Sequence, residues 1–68
     1  MKIKSFIIWP ESLKTLEVIC FLEEAGFKQN KDFEVIYSKI LSRMVIKPLN
    51  QIILAEDALQ LGLTTITI

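Results

Sequence analysis

Cys20 is the one thiol of this chain, histidine is absent, and the other side chains suited to acid-base work are carboxylates, two pairs of which are adjacent: Glu23-Glu24 and Glu56-Asp57. That inventory excludes much. With one thiol and no imidazole, a Cys/His zinc site cannot be assembled within one chain, and neither Ser-His-Asp nor Cys-His catalysis has its base. The glycines, Gly26 and Gly62, stand far apart, so no glycine-rich loop cradles a phosphate. Neighbours on a helix point apart, which makes both carboxylate pairs solvated surface charges. Cys20 lies between Ile19 and Phe21 with Leu16 one turn away, a setting that reads as core packing rather than as a reactive thiol. The chain is therefore expected to be no enzyme and to carry no metal or cofactor.

The elements that could position anything are bounded by length. The 68 residues make a single domain, and one this small buries only about 60% of the surface of its unfolded chain. Its stability margin is then roughly 3–10 kcal/mol. Yet 51% of the residues are hydrophobic and the mean hydropathy is +0.44, more apolar material than so small a core encloses, so part of it is expected to meet another chain. Eight Lys plus Arg balance eight Asp plus Glu, which leaves no global field to draw the protein to nucleic acid or membrane. The start, MKIKSFII, faintly imitates a secretory signal, but Pro10 and Glu11 cut the apolar run short. It reads as structure, and a lone cysteine suits a reducing, cytoplasmic setting.

Lys2 to Trp9 alternates and is rich in β-branched and aromatic residues, as a strand should be. Pro10 or Ser12 opens a helix that runs to Ala25, with Gly26 and Phe27 as its left-handed stop. On that helix Val18, Ile19, Leu22 and Ala25 form an apolar arc, extended by Leu13, Leu16 and Cys20, while Phe21 falls among the charges. Asp32 to Ser38 alternates as a second strand, parallel to the first through a helical crossover. The stretch Arg43 to Asn50, RMVIKPLN, then echoes the first half. Strand-like residues lead to Pro48, helix formers follow behind Asn50 as cap, and Ala58-Leu59-Gln60-Leu61-Gly62-Leu63 answers Leu22-Glu23-Glu24-Ala25-Gly26-Phe27. A strand from Leu63 to Ile68 closes the chain. The echo predicts an α+β, ferredoxin-like βαββαβ two-layer sandwich, with both helices on one face of a four-stranded sheet.

The alternative makes Ser38 to Ile46 a helix and Gln51 to Ala55 a strand, a truncated thioredoxin-like βαβ-α-ββ order. Strand, short loop, helix and Leu22-Glu23-Glu24-Ala25-Gly26-Phe27 with an extended segment after it, over roughly residues 2 to 37, resembles the opening of a glutaredoxin-type thioredoxin fold. The strand-helix junction here is Trp9-Pro10-Glu11-Ser12, with no cysteine where that family carries its CxxC, so no redox function is implied.

Under the βαββαβ order the helices cover Ile3, Ile7, Trp9, Phe33, Val35, Tyr37, Met44 and Ile46, and the open face shows Lys2, Lys4, Phe6, Ile8, Ile36, Arg43, Val45 and Lys47. Phe6, Ile8, Ile36 and Val45 are too apolar to face water alone, and they are the expected contact with a protein partner or with a second copy, with Phe21 as a second contact. The alternative use of that face is single-stranded nucleic acid, held by Lys2, Lys4, Arg43 and Lys47 around a stacking Phe6. A small-ligand regulatory role rests on fold analogy alone.

Overall fold

A computed structural model describes residues 5–67. The chain is a small α+β domain with a four-stranded antiparallel sheet and two helices, in the order β1 (Ser5–Ile8), α1 (Thr15–Glu24), β2 (Phe33–Ser38), β3 (Arg43–Pro48), α2 (Glu56–Gln60) and β4 (Thr64–Thr67). Across the sheet the strands run β2-β3-β1-β4, so β3 and β1 are central. Every neighbouring pair is antiparallel, which makes β1 and β2 point the same way, as the crossover requires.

Ile7, Trp9, Val18, Leu22, Phe33, Ile46, Ala58 and Leu63 form one buried cluster to which β1, α1, β2, β3 and α2 all contribute. β4 adds no buried residue: Thr64, Thr65 and Thr67 are exposed and Ile66 is half-buried. Tyr37 and Met44 face each other across β2 and β3 on the core side, yet both are exposed. The helical layer stops short of that end of the sheet.

The two helix stops follow from sequence. Gly26 and Gly62 both have positive φ, +102° and +89°, which costs glycine little. The Phe27 N–H reaches the Leu22 carbonyl and the Gly26 N–H that of Glu23, while Leu63 reaches Ala58 and Gly62 reaches Leu59, each at 3.0 Å. Both are Schellman motifs, with the hydrophobic residue after the glycine turned to the core.

Elsewhere the expectations need correction. The thioredoxin-like alternative fails at its helix, because residues 39–42 make a tight turn and β3 pairs with β2 residue by residue from Ser38↔Arg43 to Phe33↔Pro48. That turn needs neither glycine nor proline. Ser42 takes a φ of +55°, and the Ser38 hydroxyl accepts the Leu41 N–H at 3.2 Å. Gln51 to Ala55 lies outside the sheet.

α1 starts at Thr15 rather than Pro10, since Pro10 to Leu13 closes a turn, with the Leu13 N–H on the Pro10 carbonyl. Its buried side is also rotated. Phe21 packs against the core, while Leu16, 73% exposed, and Cys20 lie outward. Burying an aromatic ring removes far more apolar surface from water than burying a thiol. α2 is one turn and a half, because Ile52 and Leu54 are used in an irregular segment to pack against the core, with Gln51, Ile53 and Ala55 outward.

Asn50 caps no helix. Its amide donates to the Lys31 carbonyl at 3.1 Å and to Asp32 Oδ1 at 3.0 Å. The other carboxylate oxygen of Asp32 accepts the Lys28 N–H at 2.9 Å. These two hydrogen bonds, the backbone one first, with Lys31 and Lys28 nearby, hold the Asp32 carboxyl below its ordinary 3.8. A carboxyl depressed on folding stabilises the fold above the unfolded value and loses that contribution as pH falls through the folded one. Asp32→Asn should therefore unfold at lower urea than the parent at neutral pH, and the gap should narrow as pH falls below 3.8 and vanish only below the lower folded value. A gap that persists in acid would assign the effect to packing instead.

Candidate functional site

Three surfaces have the residue types to bind something. On the sheet face away from the core, Ile36 lies opposite Val45 and Phe6 opposite Ile66. The Ile7↔Ile46 register sets Val45 beside Ile8 and Lys47 beside Phe6. Phe6, Ile8, Ile36 and Val45 are thus brought together as one apolar patch. Its accessible part is smaller than the residue types suggest: Val45 is fully buried, Phe6 is 8% exposed, and Ile8 and Ile36 are half-buried. A ring so covered offers little face for a base to stack on. Lys2, Lys4 and Ile3 lie outside the described residues.

Arg43 is committed to the protein itself. Its Nη2 donates to the Trp9 carbonyl at 2.6 Å and its Nε to the Met44 carbonyl at 3.2 Å, while the guanidinium carbon sits 5.1 Å from the centroid of the buried Trp9 ring. This places a cation over an aromatic face with two of its N–H groups on two separate carbonyls, a geometry arginine makes and lysine does not. It also joins the end of β1 to the start of β3. Arg43→Met should lower stability by about 1–3 kcal/mol, the scale for removing a charged partner from a sheltered carbonyl. Arg43→Lys should recover only part, and equal urea midpoints for Arg43→Met and the parent would show the contact to be idle. Beside it a shallow depression of about 420 Å³ is lined by Trp9, Glu11, Leu13, Lys14, Thr15, Arg43 and Met44.

The third surface is a groove of about 250 Å³ between the C-terminal half of α1 and α2. Phe21, Leu22 and Ala25 line one wall, Phe27 follows them, Ile53, Leu54 and Ala55 come from the irregular segment, and Ala58 from α2; Glu24 and Asp57 are its ionisable residues. Phe21, expected among solvated charges, supplies part of the apolar floor. Sequence reasoning missed Ile53, which is 77% exposed beside that floor. The sequence carries no signal for it: Ile52, Ile53 and Leu54 are all apolar, and only the structure shows Ile52 and Leu54 packed on the core with Ile53 outward. The volume is below the roughly 300–1,000 Å³ of small-molecule sites, so the groove suits one or two side chains better than a ligand.

Glu23, Glu24, Glu56 and Asp57 are exposed. Among the described residues no three His, Cys, Asp or Glu side chains are grouped so as to hold a metal ion, and no helix is long and apolar enough to cross a membrane. No protein-family model, no curated protein and no solved structure matches the chain.

Proposed function

We propose that this protein is a small non-enzymatic interaction module, ferredoxin-like in its βαββαβ order, that works by self-association and by holding an apolar side chain of a protein partner. The strand order β2-β3-β1-β4 with antiparallel neighbours supports the fold reading. The binding reading is carried by Ile53, exposed beside the apolar groove. Leu16 and Ile40, at 73% and 75% exposure, add to the same surplus. An exposed Leu or Ile forgoes about 1.5–3 kcal/mol of transfer free energy, a large share of what a chain this size has in hand, and association recovers it. An exposed, single thiol agrees with a cytoplasmic setting.

Sedimentation over a dilution series tests the self-association half. The weight-average mass should rise with concentration, and a concentration-independent monomer removes that half. The groove is tested by Ile53→Asp, which changes an exposed residue and should leave the fold intact while abolishing retention of any partner that the parent chain retains. Partner binding that survives Ile53→Asp and Phe21→Ala together rules the groove out.

A further inference from the structure

The two edges of the sheet are unlike. At β2 the outer edge is already occupied where the strand begins: Gln29 bridges to Phe33, the Asn30 N–H donates to the Phe33 carbonyl at 2.6 Å, and the Glu34 carboxylate stands one residue further on. Charge and a covering loop are two of the usual devices that stop an edge from pairing. β4 has neither. Thr64-Thr65-Ile66-Thr67 is uncharged, lacks proline and is β-branched at every position, pairs with β1 along its whole length on one side, and is the last strand of the sheet on the other.

We infer that β4 is the self-association surface, pairing antiparallel with β4 of a second copy about a two-fold axis to make one eight-stranded sheet. This rests on the self-association reading above and names its surface and symmetry. An antiparallel β4–β4 pair is isologous and closes on itself. Both helical layers then lie on the same side of the joined sheet, so facing residues share parity. With Ile66 on the axis, Ile66 meets Ile66 of the second copy on the face that carries Phe6. Thr65 meets Thr67 of the second copy on the other face. Aliphatic and Thr–Thr cross-strand pairs are favourable, and a strand without charge does not repel its own copy.

The test is charge at the axis. The parent chain should sediment as a dimer; Ile66→Lys and Ile66→Asp should each sediment as monomers with the parent's circular dichroism, and an equimolar mixture of the two should regain the dimer mass. A parent dimer that persists in Ile66→Lys, or a mixture of folded variants that stays monomeric, overturns the β4 pairing while self-association stands. A parent that is monomeric throughout overturns both. Should either charge unfold the strand, Ile66→Cys in a Cys20→Ser background decides. Facing Cα atoms in an antiparallel pair lie about 4.5–5.5 Å apart, within disulfide reach. Oxidised glutathione should then link the dimer, and a dimer left unlinked overturns the pairing.

Discussion

Gly62→Ala is expected to cost roughly 2–4 kcal/mol, and Gly26→Ala only about 1–2 kcal/mol. Both glycines end a helix in the same Schellman geometry with φ near +90 to +100°, so an added methyl meets the same backbone strain at either site. Their surroundings separate them. A Cβ at Gly26 would have nothing within 4 Å, whereas one at Gly62 would lie 2.9 Å from Cδ and 3.0 Å from Cγ of Pro10. The pyrrolidine ring cannot swing aside: its φ is fixed by the ring, and the preceding Trp9 is buried. Urea midpoints of the two variants provide the comparison. Pro10→Ala in the Gly62→Ala background should recover part of the loss, since neighbours in contact do not add. Equal losses at the two glycines would mean that the contact between the proline and the second helix stop bears no strain.

Phe33→Ala should remove 3–5 kcal/mol, the range for emptying a buried aromatic site, and that equals or exceeds the lower part of the stability available to so short a chain. Phe33 is the largest of the fully buried side chains and opens β2 in the middle of the cluster that Ile7, Val18, Leu22 and Ile46 build from other elements. No neighbouring element can close over the space without breaking a strand register. The variant should lose amide dispersion in its NMR spectrum at room temperature, while Phe33→Leu, which keeps most of the volume, should stay folded with a lower midpoint. A Phe33→Ala chain that melts cooperatively at the parental temperature would show that the core does not run through β2.

Much of this architecture is legible in the residues, but unevenly. The alternation of Phe33, Val35 and Tyr37 against Glu34 and Ile36 places β2 and its faces correctly, and the parallel runs Leu22 to Phe27 and Ala58 to Leu63 mark both helix stops, because a glycine followed by an apolar residue has one inexpensive way to end a helix. What the echo between the halves could not convey is how each proline is used. Pro48 ends β3 opposite Phe33, while Pro10 leaves β1 and packs against Gly62. The orientation of α1 was not legible either: helical spacing puts Cys20 on the apolar arc and Phe21 among the charges, whereas in the fold Phe21 packs against the core and Cys20 lies outward.

The candidate site was the least legible part. Arg43 looked free to bind an anion, and only its proximity to Trp9, 34 positions away in the chain, shows it to be spoken for. Long-range partners of that kind leave no local signal.

The β1–β4 ladder brings the first and last described residues side by side, with Ser5 opposite Thr67 and their side-chain oxygens 3.4 Å apart. Mechanically, this is the weakest way to hold a chain by its ends. A pull applied to Ser5 and Thr67 loads the antiparallel ladder one rung at a time instead of shearing all rungs together, so β4 peels first. Once it has peeled, central β1 becomes an edge. A tether on both ends would thus convert tension directly into an unpaired strand, at a force far below what the buried cluster beneath could resist.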